Sequence, residues 1–159
     1  MSIKMLTPFA SVKGFSLIEV MIALVIFSVG LIGLAGLQAT AVQDNSRSYY
    51  RVQANFLAYD ILDRMRANIA QAQQGRYAIG LGPVPNHTLC YGTGVTCTPV
   101  QIADADLTEW KTALQNTLPS GDGSVAVTSP NPTDPLIITV QWDDDRSGVP
   151  QSITITAEP

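Results

Sequence analysis

The chain contains one uninterrupted apolar segment, residues 15–37, in which Glu19 is the only ionisable side chain. As an α-helix, about 23 residues with a rise of about 1.5 Å each would extend roughly 34 Å, enough to cross a hydrocarbon core of about 30 Å with some tilt. Lys4 and Lys13 precede the segment, and no acid does. By the positive-inside rule, the residues before the segment stay in the cytoplasm and the remainder is exported. The sequence therefore predicts a membrane-spanning helix near the N terminus.

Two ordinary interpretations of this segment leave Glu19 unexplained. A cleaved secretion signal is supported by Ala39-Thr40-Ala41, but the apolar stretch exceeds the roughly 7 to 15 residues of a signal core. An uncleaved signal anchor explains the length only. A carboxylate in a membrane is costly unless it is paired or near the interface, so Glu19 needs a cationic partner. Cleavage between Gly14 and Phe15 would create an α-ammonium at Phe15, about 6 Å from Glu19 along the helix axis. Glu19 could pair with this ammonium or with the equivalent ammonium of a neighbouring chain.

The residues Lys13-Gly14-Phe15-Ser16-Leu17-Ile18-Glu19, followed by the apolar run, resemble the class III signal of type IV pilins and type II secretion pseudopilins. The resemblance implies a leader peptide of residues 1–14, cleaved after Gly14 by a prepilin peptidase that also methylates Phe15. It further implies that Glu19 acts in methylation and in docking to the neighbouring subunit during assembly.

Three glycines, Gly30, Gly33 and Gly36, recur at every third residue of the apolar segment. Gly36 stands near the position at which major pilins usually carry a proline. Each glycine lowers helix stability by up to about 1 kcal/mol relative to alanine, so the helix could loosen or bend here. Small residues also let membrane helices pack closely, and the sequence leaves both interpretations open.

Helical periodicity continues through residues 38–74, without a proline and with Gly75 as a C-terminal stop. The apolar stripe of this amphipathic part consists of Ala54, Leu57, Ala58, Ile61, Leu62, Met65 and Ile69. The opposite side is predicted to be polar and solvated, with the acid–arginine pairs Asp44–Arg47, Asp60–Arg64 and Asp63–Arg66. The sequence therefore predicts one helix of about 60 residues, with its first half in a membrane or filament core and its second half packed on a domain.

Residues 75–103 are rich in glycine and proline and are expected to form an extended connector. Cys90 and Cys97 lie in this connector. In an oxidising compartment they are expected to form a local disulfide, and the alternative is two reduced thiols.

Residues 104–159 are predicted to form one short helix and a small sheet. Residues 104–118 form the helix, with Asp104 or Asp106 as its cap and Trp110 on its buried stripe. Strands are expected in residues 119–159, at Ser124–Thr128, Leu136–Trp142 and Gln151–Ala157, and the last two form a hairpin. The fold class is therefore α+β, with the long N-terminal helix packed on a small antiparallel sheet.

Composition excludes several classes of function. The formal net charge is −4, and about −6 remains once the leader lysines are removed, so nucleic-acid binding is not expected. His87 is the only histidine, and a zinc site of about four ligands cannot be completed from Cys and His alone. The turn containing Asp143, Asp144 and Asp145 could in principle hold a hard cation, but an acidic solvent-facing turn is favoured. No nucleophile, phosphate-loop or metalloprotease motif is present, so we predict no enzyme, no cofactor and no metal.

A more particular resemblance extends along the chain, to the minor pilin V subfamily. It is carried by Gly33-Leu34-Ala35-Gly36-Leu37-Gln38, Ala58-Tyr59-Asp60, Asp63-Arg64-Met65-Arg66-Ala67-Asn68, Ala105-Asp106-Leu107 with Trp110, Leu118-Pro119 with Gly121 and Gly123, and Ile138-Thr139-Val140 before Trp142-Asp143-Asp144. The resemblance implies a low-abundance subunit in the bacterial inner membrane, with its C-terminal domain in the periplasm. Such a subunit joins other minor pilins and the major pilin, primes type IV pilus assembly, and then lies on the cell surface in the pilus.

Two alternatives remain open at this point. A type II secretion minor pseudopilin shares the N-terminal signal but drives protein export. A soluble periplasmic binding module, released by ordinary signal peptidase after Ala41, would use Trp110, Trp142 and the loop between Cys90 and Cys97 to line a ligand site.

Overall fold

The computed structural model describes residues 14–86, 90, 94–127, 135–144 and 148–158. In chain order its elements are α1 (Leu17–Ala67), α2 (Ile69–Gln73), α3 (Pro99–Thr117), β1 (Asp122–Val127), β2 (Leu136–Trp142) and β3 (Gln151–Ala157). The chain divides into two compact units, Met1–Gln43 and Asp44–Pro159. The predicted α+β class, with a long N-terminal helix and a small antiparallel sheet, is confirmed.

The first unit is helical from Leu17 onward, and every described residue in it is exposed. The helix is not interrupted at Gly30, Gly33 or Gly36. A Cβ atom built on any of these three glycines would meet nothing within 4 Å. The interruption considered from sequence is therefore not seen, and no contact within the chain requires a glycine at these positions.

Helix α1 ends earlier than predicted, at Ala67 rather than at residue 74. Asn68 leaves helical geometry with φ −124° and ψ 49°, and its side-chain amide donates to the carbonyl of Pro99 at 2.7 Å. The short helix α2 follows this turn, and Gly75 then adopts φ 73°, a left-handed conformation that glycine tolerates best. The helix thus ends because Asn68 binds Pro99, which lies 31 residues further along the chain, although the local sequence pattern is still helical.

Helix α3 begins earlier than predicted, at Pro99 rather than at Asp104. Thr98 is the N-cap: its hydroxyl accepts from the Gln101 backbone amide, and the Gln101 side chain accepts from the Thr98 amide. Proline suits the first position of a helix because its missing N–H needs no partner there. The predicted caps were therefore wrong, since Asp104 and Asp106 both lie inside the helix.

The sheet has the order β1–β2–β3 with both pairs antiparallel. Strands β2 and β3 have their predicted bounds and form the expected hairpin, with Trp142 opposite Gln151. Strand β1 starts two residues earlier than expected, at Asp122, while the predicted end Thr128 lies outside the described residues. Side chains of β2 alternate strictly between buried and half-buried, so one face of the sheet forms a core.

One hydrophobic core joins α1, α3 and the sheet within the second unit. Its members include Ala54, Leu57, Ile61, Met65, Leu107, Trp110, Leu114, Val125, Ile138 and Val140. Trp110 is fully buried, and its indole N–H donates to the carbonyl of Leu57 at 2.9 Å. The expectation that Trp110 belongs to the core is therefore confirmed. Ile69, in contrast, is 37% exposed and lies beyond the end of α1.

The outward side of α1 differs from the sequence prediction of a polar, solvated face. The exposed large side chains there include Tyr49, Val52, Phe56 and Tyr59. Three predicted acid–arginine pairs do form, but the guanidinium of Arg64 is part-buried against α3 rather than solvated. The helix thus carries apolar side chains on more than its core side.

Candidate assembly site at the N terminus

The predicted cleavage position lies just before the first helical residue. Gly14, Phe15 and Ser16 are non-helical and exposed, and the Phe15 side chain is 82% exposed. The Ser16 carbonyl accepts hydrogen bonds from the amides of Glu19 at 3.1 Å and Val20 at 3.3 Å, which begins the helix. Residues 1–13 of the predicted leader lie outside the described residues. The bond between Gly14 and Phe15 therefore lies in exposed, non-helical chain that a peptidase can bind in an extended form.

Glu19 lies in the first turn of α1, where the exposed backbone N–H groups favour a negative charge. Glu19 lines a shallow groove of about 460 Å³ on the side of this turn, together with Phe15, Val20, Ala23, Leu24 and Phe27. Among the described residues, Glu19 forms no ion pair.

The helix that follows is long and apolar enough to cross a membrane. Its most apolar window of 18 residues has a mean hydropathy of 2.6, and none of that window is buried. It is the single candidate span in the part of the chain that the structure describes. The hydroxyls of Ser28 and Thr40 donate to carbonyls four residues earlier, at 2.7 and 3.2 Å, so neither needs a partner outside the helix.

The predicted cysteine pair is joined in the structure. Cys90 and Cys97 form a disulfide with a Cα–Cα distance of 6.0 Å. The bond closes a short loop directly before Thr98, the N-cap of α3. His87, which was considered as a metal ligand and rejected, lies outside the described residues.

Sequence reasoning missed a charged cluster centred on Arg64. Its guanidinium lies 3.0 Å from Asp60, 3.1 Å from Asp106 and 2.6 Å from Glu109, which links α1 to α3. Burial alone would lower the pKa of Arg64, but the carboxylates of Glu109, Asp60 and Asp106 raise it above its ordinary value. The Tyr77 hydroxyl donates to Asp106 at 2.6 Å, and burial together with this bond raises the Tyr77 pKa. Each of these side chains makes at least one contact within the cluster, so the cluster holds two helices together, although the second oxygen of Glu109, Oε1, is buried without a hydrogen-bond partner among the described residues.

A second missed feature is Lys111, which is fully buried. Its ammonium donates to the carbonyls of Gly80 at 2.9 Å and Gly82 at 3.2 Å, and to Asp122. Partial burial alone would raise the pKa of Asp122, but bonds from Lys111 and from the amides of Gly82 and Gly123 hold it below its ordinary value. Lysine on an amphipathic helix is usually exposed, so no local sequence signal distinguishes this one.

The residues proposed for a ligand site in the second unit are not brought together at the surface. Trp110 is fully buried and Trp142 is 3% exposed. In the acidic turn, Asp143 accepts from the Gly148 amide at 2.9 Å and Asp144 lies 3.5 Å from Arg47, while Asp145 lies outside the described residues. Within the described ranges, no group of three His, Cys, Asp or Glu side chains is placed to hold a metal ion.

Residues 10–35 match the family model described as the prokaryotic N-terminal methylation motif. The chain carries a prepilin signal. This match covers Gly14, Phe15, Glu19 and most of the apolar run, and it supports a type IV pilin-like or pseudopilin protein that is processed by a prepilin peptidase and associates with a membrane. No curated protein and no solved structure matches the chain. Pilins and pseudopilins share this signal, so the choice between them depends on the remaining residues.

Proposed function

We propose that this protein is a minor pilin that takes part in priming type IV pilus assembly. A prepilin peptidase cleaves it after Gly14 and methylates Phe15. The apolar helix then holds it in the bacterial inner membrane with its second unit in the periplasm, and the protein is incorporated at or near the pilus tip. Other minor pilins and the major pilin are its partners, and its role is assembly rather than catalysis.

The observation that carries this proposal is the position of Glu19, inside the matched motif and at the start of an exposed apolar helix. The carboxylate lies in the first helical turn, close to the proposed cleavage position, and makes no ion pair among the described residues. Cleavage would place an α-ammonium at the start of the helix, and methylation of that amine keeps its charge. In a staggered bundle of helices, Glu19 of one subunit would pair with the terminal ammonium of the next.

The apolar helix supplies the remaining assembly energy. Its side chains bury nothing within the chain, and helices in a membrane associate through close packing, small residues and interhelical polar contacts. Gly30, Gly33 and Gly36 leave open space on the helix surface, which a neighbouring helix could occupy. The second unit, which has its own core, would then select neighbouring subunits.

The first test is the intact mass and N-terminal sequence of the protein from membranes of its native host. A chain beginning at methylated Phe15 is the expected result. A soluble chain beginning at Val42 would contradict the proposal and support release by ordinary signal peptidase. An uncleaved chain would leave Glu19 without its partner and would also contradict it.

The second test is substitution of Glu19, with pili counted on the cell surface. Glu19→Ala and Glu19→Gln are both expected to reduce pilus number, because each removes the charge, while Glu19→Asp retains part of the function. Asp44→Ala is the matched control, since Asp44 is an exposed acid of the same helix. Unchanged pilus numbers in Glu19→Ala, with normal processing of Phe15, would contradict the pairing mechanism.

Deletion of the gene distinguishes the pilin from the pseudopilin. Loss of surface pili with normal export of folded proteins supports the proposal. Loss of export of a folded substrate, with pili intact, would instead assign the chain to type II secretion.

A further inference from the structure

The second unit contains a small groove that is lined mainly by polar side chains. It has a volume of about 190 Å³ and is formed by residues of α1 and by residues at the hairpin ends of β2 and β3. The lining residues are Arg47, Arg51, Trp142, Asp144, Gln151 and Ser152. We call this feature the arginine groove.

Helix α1 places two arginines on the side that faces the core. At about 100° per residue, Arg47 and Arg51 lie within about 60° of the buried residues Ala54 and Ala58. The core-facing stripe of α1 therefore changes from alanine to arginine at the groove. Apolar side chains at these two positions would extend the core, whereas guanidinium groups keep this end of it polar.

The two arginines differ in their partners. The guanidinium of Arg47 lies 3.5 Å from Asp144, whose side chain is 10% exposed, and 4.0 Å from Asp44. In the part of the chain that the structure describes, Arg51 forms no ion pair. Arg47 and Asp144 offset each other, so Arg51 gives the lining of the groove its net positive charge.

Trp142 supplies a second donor to the groove. Its side chain is 3% exposed, and its indole N–H is buried without an acceptor among the described residues. The indole N–H of Trp110, in contrast, donates to the Leu57 carbonyl. A buried N–H that loses its bond to water and gains no other costs free energy. An acceptor bound in the groove, which Trp142 lines, would remove this cost.

The charge and the donors of the groove fit a carboxylate. One carboxylate oxygen can accept from the guanidinium of Arg51 and the other from the indole N–H of Trp142. A phosphate dianion fits less well, because Asp144 borders the groove and already engages Arg47. Water could accept from the indole, but it carries no negative charge for Arg51.

The size of the groove indicates what carries the carboxylate. Sites that enclose a whole small molecule usually have volumes of about 300 Å³ or more, and this groove is smaller. It therefore suits the end of a side chain better than a complete small molecule.

We propose that the arginine groove binds an aspartate or glutamate side chain of another protein, whose carboxylate accepts from Arg51 and Trp142. Within an assembly such a side chain is present at a high effective concentration, so a low affinity for the isolated group is sufficient. This site goes beyond the proposed function and does not depend on it, because all of its residues lie in the second unit.

Nuclear magnetic resonance of the two indole N–H groups tests the site in the full-length protein in detergent, with isotope-labelled tryptophan. Gln151 stands opposite Trp142 in the sheet with its side chain on the same face, so contacts between the two side chains identify the Trp142 signal. The probe is a Gly-Asp-Gly peptide blocked at both ends, and the matched control is the blocked Gly-Asn-Gly peptide. We expect millimolar Gly-Asp-Gly to shift the Trp142 signal and to leave that of Trp110, which already has an acceptor, unchanged.

Substitution of Arg51 tests whether its charge provides the affinity. Arg51→Gln should weaken binding of the Gly-Asp-Gly peptide by about 10-fold or more, because it removes a charge-assisted hydrogen bond. Arg51→Lys keeps the charge and should retain part of the affinity. Arg66→Gln is the matched control, since Arg66 is an exposed arginine of the same helix, and it should bind the peptide as the parent protein does. An unchanged Trp110 signal shows that the core is intact in each variant.

Each contrary outcome overturns a stated part of the inference. Absence of a Trp142 shift with Gly-Asp-Gly, or equal affinity in Arg51→Gln and the parent protein, would overturn the site. An equal shift with Gly-Asn-Gly would overturn the choice of a carboxylate. Saturation of the site by free acetate or succinate at micromolar concentration would overturn the assignment to a side chain of another protein.

Discussion

The two units of this chain use the same apolar residue types for opposite purposes. Leucine, isoleucine, valine and phenylalanine fill residues 15–37, yet no described residue before position 44 is buried. In the second unit, similar side chains from two helices and a sheet form one continuous core. Apolar composition alone therefore does not distinguish a segment that folds on itself from one that needs partners. The two kinds of segment differ in whether the same chain contains another helix or strand whose apolar face can pack against them.

Polar groups show the same contrast. In the second unit, buried donors find fixed partners far along the chain, as Trp110 does with the Leu57 carbonyl and Lys111 with Gly80. In the first unit, Ser28 and Thr40 bond only to the turn before them, and Glu19 makes no ion pair among the described residues. Substitutions in the second unit should therefore affect stability, and those in the first unit should affect assembly.

The largest effect on stability is expected from Trp110→Ala. Removing a fully buried tryptophan leaves a cavity at the junction of α1, α3 and β1, which costs about 4 kcal/mol. Urea unfolding of the full chain in detergent measures this loss, with Trp142 as the remaining fluorophore. Ile102→Ala, at a partly exposed position of the same helix, is the control and should change the free energy by less than about 1 kcal/mol. A loss below that value in Trp110→Ala would contradict the assigned core.

The next largest effect is expected from Lys111→Met. The substitution leaves the Asp122 carboxylate without its cation, and breaking a buried pair from one side costs about 3 kcal/mol. The same urea titration measures the change.

The double variant Lys111→Met with Asp122→Asn serves as the matched control for this pair. Asparagine removes the charge, and its single side-chain oxygen can still accept from one of the two amides, of Gly82 or of Gly123, that reach different oxygens of Asp122. It should recover at least half of the loss. If the double variant is as unstable as Lys111→Met alone, the cost comes from packing and not from the uncompensated charge.

A smaller effect is expected from Thr98→Ala, which removes the N-cap of α3. Loss of such a cap typically costs about 1 kcal/mol. Thr98→Ser keeps the hydroxyl and should retain most of the stability, as measured by urea unfolding. Equal stability of Thr98→Ala and the parent protein would show that the capping box contributes nothing.

The smallest effect on stability is expected from Phe27→Ala in the first unit. Phe27 is exposed and touches no core residue, so the unfolding free energy of the second unit should stay within about 0.5 kcal/mol of the parent value. Surface pilus counts should nevertheless fall, because the lost side chain would pack against neighbouring helices. Destabilisation of the second unit by Phe27→Ala would remove the contrast between the two units.

Local sequence patterns predicted the first and last residues of some elements correctly. They failed where contacts with residues distant in sequence determine where an element begins or ends. Alternation of apolar and polar residues predicted the bounds of β2 and β3, which the structure confirms. The end of α1 was not predictable, because Asn68 leaves the helix to bind Pro99. Thr98-Pro99 with Gln101 is a sequence pattern typical of a helix start, but proline is also typical of a connector, and the segment was predicted as one. The exposed side chains of Tyr49 and Phe56 were not predicted, because the acid–arginine pairs on α1 indicate a polar outer face.

The candidate assembly site could be predicted from sequence, whereas the charged clusters in the second unit could not. Gly14, Phe15 and Glu19 could be identified from sequence as candidates, because they lie together in one short, contiguous motif that matches a family model. The clusters around Arg64 and Lys111 could not, since each joins residues that are distant in sequence.

The connector between α2 and α3 is held by side-chain bonds at both ends, and the Cys90–Cys97 disulfide closes its second part. Lys111 and Asp122 hold Gly80 and Gly82 at one end, and Thr98 starts α3 at the other. For a flexible loop with fixed ends, doubling the length costs only about 0.6 kcal/mol in closure entropy. An insertion between Gly82 and Cys90 should therefore cost little stability, whereas the segment from Cys90 to Cys97 is constrained by its disulfide, so an epitope tag is best placed before Cys90.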